Sequence, residues 1–157
     1  MDGLLAALSQ SDIATYLRFS RWGYAAVNTT HVFGIALLVG AILPLDLRLM
    51  GAWRSVAHRD LARVLIPVAA AGLVIAVTTG FLLFSTRAGE YAGLTVFWIK
   101  MALVLLGGAS AVVAHLRYGR WLATAGRRQL FRIGALSMMC WLGVLVAGRM
   151  IAFSEAS

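Results

Sequence analysis

The chain has 157 residues, of which 61% are hydrophobic and 13% charged, with a mean hydropathy of +0.86. Soluble domains carry roughly a quarter charged residues, so this balance excludes a disordered chain and argues strongly against a soluble enzyme. The lone Cys140 excludes a disulfide scaffold, and the net charge of +8 lies in Arg residues between apolar runs, a pattern that reports topology rather than nucleic-acid binding.

Residues 1–21 mix Leu4, Leu5, Leu8, Ile13, Leu17 and Phe19 with Asp2, Gln10, Asp12 and Arg18, which predicts an amphipathic segment at a membrane interface. A secretory leader is not expected, because a basic start and an unbroken apolar run are both missing. Residues 22–157 then form the transmembrane domain. A hydrocarbon core of about 30 Å takes about 20 helical residues, and four stretches qualify: roughly 22–47, 64–86, 94–118 and 131–153. The second has no ionisable side chain from Val64 to Thr86. The expected fold is all-α, an integral membrane up-down four-helix bundle preceded by the interfacial amphipathic helix.

Nine basic residues, Arg48, Arg54, Arg59, Arg63, Arg117, Arg120, Arg127, Arg128 and Arg132, fall in two connections. The positive-inside rule places those connections in the cytoplasm and both termini outside, although Arg18, Arg21 and Arg87 then lie on the outer side. Trp22, Tyr24, Tyr91, Trp98, Tyr118 and Trp121 sit near the proposed boundaries as anchors. Small residues, among them Gly34, Gly40, Gly72, Gly80, Gly107, Gly108, Gly143 and Gly148, suit close helix contact. Pro67 near the start of the second span is tolerable there, whereas Pro44 is expected to bend the end of the first.

Ionisable groups at membrane depth are costly and therefore functional candidates unless they reach water. At about 1.5 Å per residue, His31 lies about 13 Å below Trp22, Lys100 about 9 Å below Leu94 and Arg149 about 6 Å below Phe153, all in the outer half. His115 is about 5 Å from the opposite boundary. Lys100 and Arg149 could simply snorkel. His31 could be a neutral imidazole satisfied by Asn28 or Thr30, and His115 an interfacial residue near Arg117. His58 reads as a solvated loop residue, Glu90 and Glu155 as solvated, and Asp46 as lying beside Arg48 at a helix end.

An imidazole and two cations at one depth on three helices also suit haem b, with His31 ligating the iron and Lys100 and Arg149 pairing with the propionates. Lys100, if neutral, is an alternative second ligand. Gly34, one turn from His31, could let a flat macrocycle approach the backbone. His115 is too far in depth to share that iron and would serve a second haem or another site. Met138, Met139 and Cys140 offer soft copper(I) donors, but consecutive helical residues point to different faces. Motifs for nucleotide, zinc or serine-hydrolase chemistry are missing.

Three stretches resemble the HemJ-type membrane protoporphyrinogen oxidases: His31-Val32-Phe33-Gly34-Ile35 with Leu45-Asp46-Leu47-Arg48-Leu49, then Trp98-Ile99-Lys100-Met101, and His115-Leu116-Arg117-Tyr118-Gly119-Arg120. This resemblance implies haem-site roles for His31 and Lys100. The chain departs from that pattern by about one extra turn between Lys100 and His115, and by ending after its fourth span. The His-Val-x-Gly-Ile-Ala-Leu-Leu-Val-Gly run and Gly148-Arg149-Met150-Ile151-Ala152 look closer still to a family of small bacterial four-helix membrane proteins of uncharacterised function, which implies a bacterial inner membrane. CopD-type domains are similar more loosely. The resulting expectation is a haem-b-binding membrane protein for electron transfer, or an oxidoreductase acting on a small lipid-soluble quinol or porphyrinogen. The alternatives are an accessory subunit packing against a membrane partner or a second copy, and a copper or cation pathway.

Overall fold

The computed structural model describes residues 2–154, and Glu155 lies outside them. Among the described residues the secondary structure is entirely helical: α1 (Asp2–Ser9), α2 (Asp12–Phe19), α3 (Arg21–Met50), α4 (His58–Thr86), α5 (Ala88–Ala92), α6 (Thr95–Tyr118) and α7 (Arg127–Ser154), with a 3₁₀ turn at Arg120–Leu122. α3, α4, α6 and α7 are each long and apolar enough to cross a bilayer, which suggests a multi-pass membrane protein. Their outward surfaces agree, since Phe81, Leu105, Leu116, Met139 and Val146 are exposed side chains that water would disfavour.

The N-terminal segment, expected as one helix, forms two, α1 and α2. Ser11 interrupts it, because its hydroxyl accepts from the Ala14 amide and caps α2. Ser20 repeats the device for α3 by accepting from Gly23 N at 3.0 Å. Two long helices start earlier than their apolar runs: α4 at His58 rather than residue 64, and α7 at Arg127 rather than 131. Hydropathy marks the apolar middle of a helix, and Arg is a good helix former that extends it into the polar zone. Pro67 therefore lies within α4, a position where its missing N–H costs one ladder bond.

α3 is the centre of the arrangement, packing against α4 on one side and α7 on the other, while α7 also packs against α6. Glycine sets these contacts. A Cβ on Gly72 would stand 2.5 Å from Leu38 N and 2.7 Å from the Gly34 carbonyl oxygen, so the α3 and α4 backbones touch there. Gly134 plays the same part between α7 and α3, with the Asp46 carbonyl oxygen 2.8 Å from where its Cβ would be. α6 meets α7 through Gly107 on Trp141 and Gly143 on Leu103. In the α3–α4 and α6–α7 contacts the paired residue numbers run in opposite senses. Gly40 and Gly108 have nothing within 4 Å of a built Cβ and lie outside these contacts.

Below this, Leu45, Leu49, Ala62, Ala114 and Leu122 form one buried cluster, while Leu38, Ala41, Ala69 and Trp141 form another nearer mid-helix. At the opposite end Phe84 stacks on Phe97 at 5.1 Å, and Trp98 closes edge-on at 5.5 Å. The Trp98 indole donates to the Ala92 carbonyl at 3.0 Å, which ties α6 to the end of α5.

Candidate functional site

His31 projects from the third turn of α3 onto α4. Its Nδ1 lies 3.0 Å from the Thr79 hydroxyl. That hydroxyl has one hydrogen, which it donates to the Ile75 carbonyl one turn back. With that hydrogen directed at Ile75, the Thr79 oxygen is assigned as the acceptor of Nδ1–H. That assignment leaves the lone pair on Nε2, the state in which imidazole ligates a metal. The ring rests on Gly80, where a Cβ would stand 2.9 Å from His31 Cε1. The sequence nominated Asn28 or Thr30 as the partner of His31. Both are exposed, and Thr30 turns its hydroxyl back to the Ala26 carbonyl at 2.8 Å. Thr79 holds the imidazole instead.

Lys100, on the second turn of α6, is half-buried. Its Cε and Nζ lie 3.9 and 4.0 Å from the position of a Cβ on Gly148 of α7, an ordinary contact. It takes part in no hydrogen bond or ion pair among the described residues. Two pairs of helices thus place these residues separately: His31 with Thr79 and Gly80 on α3 and α4, and Lys100 with Gly148 on α6 and α7. Arg149, the next residue along α7, is exposed, and its guanidinium lies 4.7 Å over the Phe153 ring.

Gly34 belongs elsewhere. A Cβ on it would meet Ala76 N and the Ile75 side chain at 2.8 Å, so α4 fills the space that a macrocycle would have needed. Gly34 is a helix-crossing glycine, and the expectation that a porphyrin lies against it is corrected.

The other end of the bundle holds a second set of polar groups. His115, three residues before the end of α6, gives its Nδ1 to the Ala111 carbonyl at 2.8 Å and leaves Nε2 buried without a partner. Asp46 is 3% exposed, with Ser137 of α7 as its hydrogen-bonding neighbour and Oδ2 unsatisfied. It does not pair with Arg48, whose Nε donates to the Val56 carbonyl. His58 is the first residue of α4 rather than a loop residue, with its Nε2 3.4 Å from the Leu122 carbonyl oxygen. Arg59 donates to the Ala123 carbonyl beside it. Among the described residues no three His, Cys, Asp or Glu side chains converge. Cys140 is buried while Met139 is exposed, so the soft donors of α7 diverge as their spacing predicts.

Two cavities open at the α5 end of the bundle, one of about 680 Å³ between α1, α5 and α6 and one of about 320 Å³ between α2, α3, α4 and α5, and neither is lined by His31 or Lys100. Compared with known proteins, the chain matches no family model, no curated protein and no solved structure.

Proposed function

We propose that the chain is a multi-pass protein of the bacterial inner membrane that binds haem b and works in electron transfer or in oxidising a small lipid-soluble substrate. Its four long helices would run up and down through the bilayer with both termini outside, leaving α1 and α2 at the outer interface. The observation that carries the haem reading is the hydrogen bond of His31 to Thr79 at 3.0 Å, which leaves Nε2 as a free lone pair. His31 would hold the iron, while Lys100 and Arg149 would hold the propionates by charge-assisted hydrogen bonds.

Haem would supply one-electron redox chemistry at that level. The protein's own part would be to hold the imidazole by Thr79, to seat it on Gly80 and to supply Lys100 as a cation for a propionate. A quinol or porphyrinogen is the substrate class suited to a site reached from the lipid, and the likeness of the His31 and Lys100 motifs to HemJ-type oxidases favours the second. His115 would belong to a separate site, since it lies about 22 Å along α6 from Lys100 at about 1.5 Å per residue.

Titration of haem into the detergent-purified protein, followed at the Soret band, tests this reading. Saturation at one haem per chain is expected for wild type and none for His31→Ala. Equal binding by both would overturn it.

A further inference from the structure

The smaller cavity, of about 320 Å³, is lined by Arg18, Ser20, Arg21, Tyr24, Arg87 and Tyr91 together with Thr86. It thus gathers the three basic residues that the positive-inside rule leaves on the outer side of the membrane. Their charge is poorly balanced. Arg87 has Glu90 at 3.6 Å, in a pair that solvent screens because both side chains are more than half exposed. Arg18 donates to two neutral acceptors, the Ser9 carbonyl at 2.7 Å and the Thr86 carbonyl at 2.9 Å. Arg21 has neither a hydrogen bond nor an ion pair among the described residues.

Arg21 also occupies the first turn of α3, which contains no acidic residue. The positive end of the helix dipole disfavours a cation there unless an anion accompanies it. Three guanidiniums and a helix N-terminus around one open space, with Glu90 the one carboxylate paired to them among the described residues, form an incomplete charge set. Phosphate oxygens complete such a set because guanidinium presents a planar fork of donors to them.

The surroundings select the source. Tyr16, Phe19 and Trp22, adjacent in sequence to the lining residues Arg18, Ser20 and Arg21, have 65%, 81% and 82% of their surface exposed. Aromatic side chains in that state belong at the headgroup level of a bilayer, where the phosphate of a phospholipid is the anion within reach of the guanidiniums. We infer that the Arg18, Arg21 and Arg87 cavity binds the phosphate of an anionic phospholipid headgroup. This rests on the four long helices crossing a membrane and is independent of haem.

The test is thermal unfolding of the detergent-purified full chain with added phosphatidylglycerol, phosphatidylcholine or inorganic phosphate. Wild type is compared with the double variant Arg21→Gln with Arg87→Gln. Arg18 is left in place because it ties the ends of α1 and α4 together. Phosphatidylglycerol should raise the wild-type midpoint well above phosphatidylcholine, and its dissociation constant should rise about tenfold or more in the double variant. An Arg127→Gln with Arg128→Gln control, at the other end of the bundle, should bind as wild type does. Stabilisation by inorganic phosphate that the double variant loses would support the site with free phosphate as its occupant. Equal effects of the two lipids on wild type, or an unchanged preference in the double variant, would overturn it. A normal lipid-free midpoint for the double variant confirms that it folds. Alkaline carbonate extraction tests the membrane reading separately.

Discussion

The α3–α4 contact and the α6–α7 contact both rest on glycine, but they differ in what the glycine touches. At Gly34 and Gly72 a Cβ would strike backbone: Ala76 N at 2.8 Å in one case and Leu38 N at 2.5 Å in the other. At Gly107, Gly143 and Gly148 it would meet side chains, namely Trp141, Leu103 and Lys100. Backbone cannot yield without moving a whole helix, whereas a Leu or Lys tip turns to another rotamer. The arm that carries His31 is therefore fixed in place. The arm that carries Lys100 is adjustable, as suits a group that would close on the charged edge of a ligand.

The largest effect should come from breaking the rigid contact. Gly72→Leu is expected to cost at least about 3 kcal/mol, the upper end of ordinary overpacking, because no low-energy rotamer clears the α3 backbone. Loss of a monodisperse peak in size-exclusion chromatography, with a lowered unfolding midpoint, checks it. Thr79→Val comes next. It keeps the shape but removes the acceptor of the Nδ1–H, and losing the hydrogen bond that orients a ligating imidazole costs about 10–100-fold in affinity. A haem titration on a variant with wild-type helicity would read that change, and unchanged affinity would mean that Thr79 does not orient the ring.

On the adjustable side the effects should be smaller. Gly143→Ala meets only the Leu103 Cδ1 tip, at 2.9 Å, and should cost about 1 kcal/mol or less in thermal unfolding. Gly108→Ala, with open space around it, should stay within about 0.5 kcal/mol. A Gly143→Ala variant as damaged as Gly72→Leu would remove the distinction between the two contacts. Arg149→Gln should be among the mildest, since an exposed cation–π contact is worth about 0.5–1 kcal/mol.

The four spans were legible because long apolar runs have few alternatives at this length. Their polar ends were not, since Arg59, Arg63 and Arg128 look like loop by hydropathy yet continue a helix. That His31 and Lys100 share a level is an expectation from counting residues at the helical rise; the contacts of each run to its own neighbouring helix, α4 for His31 and α7 for Lys100. Thr79 was hidden because a Thr within an apolar run ordinarily bonds only its own helix, as Thr78 does here. The burial of Asp46 was hidden by Arg48. Two residues apart on a helix do not share a face, so Asp46 turns toward Ser137 of α7 while Arg48 reaches Val56. Gly34 was read correctly as a place of close approach, but what approaches is α4.

The most direct test of the account is the reduced-minus-oxidised visible spectrum of protein purified from haem-replete cells, for wild type, His31→Ala and His115→Ala. The account predicts a b-type spectrum in wild type and in His115→Ala, lost in His31→Ala. A wild-type protein that stays colourless after haem supplementation, or a spectrum that survives His31→Ala, would contradict it.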